Sequence, residues 1–165
     1  MNEDLAVAIR DYVDDDFDDL VNRWHETNLV SYRYNEVQQQ HTPAEARHFF
    51  RNKLLPACHV LVAARAERLL GMLALEAPWI RHLAVFPEHQ RMGIGTALLH
   101  RARELSPHEL RLFTFQRNEA ARAFYVRHGF TVVALGVSPA PELEPDVEYH
   151  WVAGRTPASR IHPVK

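Results

Sequence analysis

Residues 83–105, LAVFPEHQRMGIGTALLHRAREL, determine how the rest of this chain is interpreted. A strand-like apolar run over 83–86 is followed by Pro87 and by a short polar loop that closes with Gly-Ile-Gly at 93–95. Apolar residues then recur three and four positions apart, as in an amphipathic helix: Ile94, Ala97, Leu98, Ala102 and Leu105. Such a strand, turn and helix direct backbone N–H groups and a helix N-terminus at one point, which suits the binding of phosphate groups.

Composition restricts the possible classes of protein. The chain has 165 residues, of which 47% are apolar, so we expect one globular domain over 1–153 and a flexible tail over 154–165. A net charge of −2 gives no general reason to expect nucleic-acid binding. The N-terminus has no signal-peptide pattern, and 18 apolar residues never run together, so we expect no membrane partner and a cytoplasmic location.

Metal and disulfide chemistry are not expected. Cys58 is the only cysteine, which excludes a disulfide framework and a thiolate metal cluster. The chain contains 11 histidines, but none has the H-x-x-x-H spacing of a zinc-binding helix. We therefore expect no metal.

The order of the expected elements indicates the fold class. Periodicity predicts four main helices, at 17–28, 43–56, 93–105 and 118–128, and an irregular stretch at 29–41. It also predicts seven strands, with a loop at 136–146: 5–12, 58–64, 69–76, 79–86, 109–115, 130–135 and 147–152. This order predicts an α/β fold with a mixed sheet of about seven strands, flanked by about four helices.

Two common nucleotide-binding motifs do not fit the glycine loop. A dinucleotide-binding fingerprint needs a third glycine or an alanine where Leu98 stands, and a P-loop needs a Gly-Lys-Ser/Thr sequence that is absent. Both interpretations therefore fail.

A longer pattern does fit. Residues 83–95, Leu-x-Val-x-Pro-x-x-Gln-Arg-x-Gly-x-Gly, resemble the coenzyme A loop of the GNAT superfamily of N-acetyltransferases. Residues 118–130, Asn-x-x-Ala-x-x-Phe-Tyr-x-x-x-Gly-Phe, resemble the second motif of the same family. The resemblance covers residues 71–135 and implies a GNAT-type, mostly antiparallel sheet. It also implies transfer of an acetyl group from acetyl-CoA to a small-molecule or peptide amine. By the same resemblance, a homodimer is expected.

The resemblance also assigns residues to the co-substrate. The backbone amides of the loop would bind the pyrophosphate, and the Arg91 side chain would add a charge-assisted contact. The residues of this loop are Gln90, Arg91, Met92, Gly93, Ile94, Gly95 and Thr96. The preceding strand would pair with the pantetheine arm and polarise the thioester carbonyl: Leu83, Ala84 and Val85. Asn118 matches a residue near the pantetheine, although an N-cap explains it equally well.

Tyr125 matches the family tyrosine that protonates the departing thiolate. A coenzyme A thiol resembles free cysteine, with a pKa of about 8.5, so a phenol within hydrogen-bond distance is a suitable acid. The alternative is that Tyr125 is an apolar-face residue that packs beside Phe124.

The general base departs from the family pattern, because Arg81 stands where many family members have glutamate or histidine. An arginine cannot take a proton at neutral pH. A hairpin at 77–78 would place Ala74 opposite Arg81 and would bring Glu76 and Arg81 to one face. They then form a surface ion pair, or Glu76 acts as base while Arg81 binds an acidic substrate. His82 is the second choice, since it faces the other way unless a bulge intervenes.

The acceptor site is predicted only in outline. Tyr32 in the 29–41 stretch is expected to shape the pocket, and Glu26 could line it from the first long helix, although a solvated helix face explains Glu26 as well. The alternative to an enzyme is a non-catalytic acyl-CoA-binding domain that kept the coenzyme A loop and lost the base.

Overall fold

The structure is a computed structural model that describes residues 6–155. The beginning of the strand expected at 5–12 and most of the tail expected at 154–165 lie outside these residues. No helix within 6–155 is long and apolar enough to cross a membrane.

In the described part of the chain, seven strands form one sheet in the order β1-β2-β3-β4-β5-β7-β6. Their bounds are β1 Ala8–Asp11, β2 His59–Arg65, β3 Arg68–Glu76, β4 Trp79–Val85, β5 Glu109–Phe115, β6 Thr131–Val137 and β7 Pro145–Val152. All neighbouring pairs are antiparallel except β4 and β5, which are parallel. The expected mixed, mostly antiparallel sheet is confirmed. The loop expected at 136–146 is too long, because β6 and β7 extend into it and pair Gly136 with Asp146.

The helices are α1 Phe17–Ser31, α2 Glu36–Gln40, α3 Pro43–Phe49, α4 Leu55–Ala57, α5 Ile94–Leu105 and α6 Glu119–Arg127. The expectation of an irregular 29–41 stretch is wrong, since the Asn35 side chain accepts the Gln38 N–H at 3.0 Å and caps α2. Helix α3 begins with a capping box, in which the Thr42 hydroxyl accepts the Glu45 N–H at 3.2 Å and the Glu45 carboxylate accepts the Thr42 N–H at 2.7 Å.

Two apolar clusters lie on opposite faces of the sheet. Alternate residues of β3 contribute to different clusters, because side chains along a strand point to opposite faces. Met72 belongs to the cluster with Trp24 of α1, whereas Leu73 belongs to the cluster with Leu98 of α5. The helices thus cover both faces, with α1 and α3 on one side and α5 and α6 on the other.

Strands β4 and β5 are joined at only one end. Their single paired position in the described residues is Trp79 with Arg111, whose N–H also donates to the Pro78 carbonyl at 2.8 Å. Beyond this point the two strands separate, and the gap between them opens toward their C-terminal ends. The edge of β4 that faces β5 is therefore free along most of its length.

A bulge in β4 changes the side-chain pattern expected from a regular hairpin. Leu75 pairs with Ile80, but Ala74 pairs with His82, so Arg81 is an extra residue. The expectation that Ala74 opposes Arg81 is therefore wrong. His82 was expected to face away from the site unless a bulge intervened, and this is such a bulge.

Candidate active site

Two connected cavities occupy the gap between β4 and β5. The outer cavity has a volume of about 950 Å³ and the inner slot about 80 Å³. Seven residues line both, which makes them one continuous site: Trp24, Asn28, Tyr32, Arg81, His82, Phe113 and Thr114. The slot is completed by β4 and by α6, whereas the outer cavity extends to α3, β6 and the loop before β7.

The loop before α5 has the geometry of an anion site. Arg91 and Gly93 adopt left-handed backbone conformations, with φ of 61° and 80°, and Ile94 then begins the helix. Within residues 6–155 no side chain caps this helix, although side chains cap α2, α3 and α6. The N–H groups of its first turn are therefore available to a ligand, and the positive φ accounts for glycine at position 93.

Gly95 lies in close contact with Phe124 of α6 and with Val85 at the end of β4. A Cβ on Gly95 would lie 3.3 Å from the ring of Phe124 and 3.6 Å from the Val85 side chain. The glycine thus lets the start of α5 approach both α6 and the end of β4. Thr96, one residue further along, forms a 3.0 Å hydrogen bond with His128 at the end of α6.

Tyr125 of α6 is buried and lines the inner slot. Burial raises the pKa of its phenol well above the usual value, so the hydroxyl keeps its proton at neutral pH. Its ring also packs against Phe130, with centroids 5.3 Å apart. Tyr125 therefore packs in the apolar core, as one of the two interpretations from the sequence expects, and its role as an acid stays a prediction. Asn118 caps α6 by accepting the Ala121 N–H at 3.2 Å and also lines the slot, while its contact with the pantetheine stays a prediction.

His82 lies where the two cavities meet. Its ring packs edge-on against Trp24 and Phe49, with centroids 5.2 and 6.2 Å apart. Burial, with a smaller effect of the Arg81 charge, lowers the pKa of His82 to about 4, so the imidazole is neutral at pH 7. Within residues 6–155 no protein group hydrogen-bonds to its ring nitrogens, which leaves them to a ligand.

Glu76 and Arg81 form the ion pair that the sequence offered as one alternative. The Arg81 Nε donates to Glu76 Oε2 at 2.7 Å, and both side chains are more than 40% exposed. Arg81 lines both cavities but Glu76 lines neither. Glu26 is exposed and also lies outside the cavity walls, whereas its neighbour His25 is buried and lines the outer cavity.

Several residues of the outer cavity were missed by sequence reasoning. Its walls carry five aromatic side chains, of which only Tyr32 was expected: Trp24, Tyr32, Phe49, Phe113 and Phe115. It also contains Asp146, which was assigned to a loop. The alternation Asp146-Val147-Glu148-Tyr149 carries the signal that was missed, because it continues the apolar and polar faces of β7.

Comparison with known proteins adds a family and a fold. Residues 15–130 match the model of the Acetyltransferase (GNAT) family. The apo form of YjaB from Escherichia coli has a similar structure, with TM-score 0.74 and 21% identity over 89% of this chain and 98% of that one. A search of curated proteins by sequence found no match.

Two further solved structures contain ligands. Spermidine N-acetyltransferase from Vibrio cholerae, in complex with CoA and spermine, has TM-score 0.67 and 19% identity over 88% of this chain and 95% of its own. The yncA protein from Salmonella typhimurium, with acetyl-CoA, has TM-score 0.67 and 18% identity over 95% and 99%. At these identities the likeness establishes a shared fold.

Proposed function

Because this chain belongs to the GNAT family of acetyltransferases, for which acetyl-CoA is the co-substrate, we propose that it acetylates an amine by direct attack on the thioester. The observation that carries the proposal is the gap between β4 and β5, in which a protonated tyrosine and a neutral histidine line one continuous site. A small-molecule or peptide acceptor, a cytoplasmic location and a homodimer are parts of the same proposal.

The residues present fit coenzyme A. The uncapped first turn of α5 supplies N–H donors for the pyrophosphate, and Arg91 adds a positive charge beside them. The free edge of β4 from Leu83 to Val85 supplies backbone groups for the pantetheine arm. An N–H on this edge also stabilises the negative charge that develops on the carbonyl oxygen.

We assign the two proton transfers of the reaction to His82 and Tyr125. His82 accepts a hydrogen bond from the acceptor nitrogen and takes its proton as the C–N bond forms, when that nitrogen becomes far more acidic than a free ammonium. The low pKa of His82 suits proton transfer at this late step, but it does not suit deprotonation of the free ammonium. The free ammonium therefore loses its first proton to water, before the attack. Tyr125 donates its phenolic proton to the departing thiolate. Glu76, the other candidate base, is already paired with Arg81.

A free-thiol assay with a panel of amines tests the activity. We expect thiol release with at least one amine, and Tyr125→Phe is expected to lower kcat by about 100-fold with little change in the affinity for acetyl-CoA. Tyr12→Phe, which removes a hydroxyl on the far side of the sheet from α6, serves as the matched control. Binding of acetyl-CoA without thiol release from any amine would instead favour the non-catalytic acyl-CoA-binding domain.

The base is tested by a pair of substitutions. His82→Gln is expected to lower kcat by more than about tenfold, because the imidazole that receives the proton is removed. Glu76→Gln is expected to change kcat by less than about twofold, as for loss of an exposed ion pair. The opposite ranking would assign the base to Glu76, and equal small effects would assign it to water.

A further inference from the structure

A carboxylate lines the outer cavity without a protein partner. Asp146 of β7 is only 8% exposed, and it pairs with Phe115 of β5 on one side and with Gly136 of β6 on the other. Its carboxylate oxygens have no hydrogen bond or salt bridge to any residue in 6–155. A largely buried carboxylate that faces a cavity without a partner is stabilised when a cation enters that cavity.

The other acids of the cavity wall are partnered. His41 lies between Glu45 and Glu142, with nitrogen-to-oxygen distances of 3.8 and 3.7 Å. The Gln38 side chain also donates to Glu142 at 3.0 Å. Among the described residues that line the cavity, Arg81 is the only lysine or arginine, and its charge is offset by Glu76.

The fold keeps this carboxylate open to the cavity. The neighbouring position on β6 is Gly136, where a Cβ would lie 3.0 Å from Asp146 Oδ1. Asp146 lines only the outer cavity, whereas His82 lines both cavities. The carboxylate is therefore separate from the inner slot. The outer cavity that it lines also contains the five aromatic side chains named above, which suit an alkyl chain that carries a cation.

We propose that Asp146 binds a second positive charge on the acceptor, so that the preferred substrates are aliphatic diamines or longer oligoamines. This rests on the proposed function: one nitrogen, neutral, meets His82, and the other, charged, meets Asp146. The pKa of Asp146 is raised, mainly by burial and further by Glu148, as expected for a carboxyl that is stabilised only when a cation arrives.

Binding and turnover are measured separately with three ligands of one chain length: a diaminoalkane, the corresponding amino alcohol and the corresponding amino acid. Calorimetry in the presence of coenzyme A is expected to show that the diamine binds about 10- to 100-fold more tightly than the amino alcohol, and that the amino acid binds most weakly. Asp146→Asn should abolish the preference for the diamine and leave the affinity for the amino alcohol within about twofold.

Two further variants complete the test. Glu104→Gln removes an exposed, ion-paired carboxylate on α5 and should retain the full preference for the diamine. Gly136→Ala keeps the charge of Asp146 but covers its carboxylate with a methyl group. It should selectively lower the affinity for the diamine, and it provides a test even if Asp146→Asn does not fold. Equal binding of diamine and amino alcohol by the unmodified protein would overturn the role of Asp146. Diamine binding without thiol release would overturn only the proposed acetyl transfer.

Discussion

Burial sets the protonation of His82 and Tyr125, the two side chains to which we assign the proton transfers. The pKa of His82 is lowered to about 4 and that of Tyr125 is raised, so between about pH 6 and pH 9 neither group changes its charge. One side chain is a proton acceptor and the other a proton donor over this whole range. In the proposed reaction, the acceptor amine is then the reactant whose titration controls the rate.

The pH profile of kcat/KM follows from these two pKa shifts. We expect kcat/KM to rise about tenfold per pH unit between about pH 6 and pH 8, because the neutral fraction of an alkylamine rises by that factor below its pKa. The measurement is initial rates with one monoamine at several pH values. An inflection near pH 6.5 that disappears in His82→Gln would contradict the low pKa of His82, since it would show the imidazole titrating at its ordinary value.

Among the elements, those governed by local chemistry could be predicted and those governed by long-range register could not. The loop before α5 was found because a left-handed residue and a close helix approach each demand glycine, at 93 and 95. The bulge that places His82 opposite Ala74 was named only as an exception and could not be predicted, because an extra residue leaves no mark on the hydrophobic pattern of β4. Asp146 was missed because β7 begins at a proline that resembled loop sequence.

The junction between β1 and α1 provides a prediction about stability. The carboxylate of Asp16 accepts two hydrogen bonds from Arg10, both at 2.8 Å, and one from the Val13 N–H at 3.0 Å. We expect Asp16→Ala to lower the free energy of unfolding by about 1–2 kcal/mol at pH 7, measured by urea denaturation. Asp15→Ala, which removes an exposed neighbouring carboxylate, is the control and should change it by less than about 0.5 kcal/mol.

The same contact predicts an acid dependence. The Arg10 hydrogen bonds lower the pKa of Asp16 in the folded state, so its contribution is present above the unfolded pKa of about 4 and is lost as the pH falls through the lower, folded pKa. The difference between Asp16→Ala and the unmodified protein should therefore shrink as the pH falls below about 4 and through the lower, folded pKa. A difference that stayed constant over this range would assign the stabilisation to packing.

At the scale of the whole molecule, the sheet consists of two parts joined at one narrow point. Strands β1–β4 form one part and β5, β7 and β6 form the other, and the only strand pairing between them in the described residues is Trp79 with Arg111. The candidate coenzyme A site lies in the gap between these parts. Binding of acetyl-CoA in this gap should therefore stabilise the whole sheet as well as the 90–96 loop.

Acetyl-CoA is expected to stabilise the protein and to protect both sides of the gap. At about 100 times Kd, binding adds about 2.7 kcal/mol to the free energy of unfolding, which corresponds to a rise in Tm of roughly 5–10 °C for a domain of this size. Amide exchange should slow in residues 83–85 of β4 and 112–115 of β5, as well as in the 90–96 loop. Gly93→Ala, which forces alanine into a left-handed conformation, should reduce the rise in Tm through weaker binding. Protection confined to the 90–96 loop would mean that the ligand binds the phosphate site without bridging the two parts of the sheet.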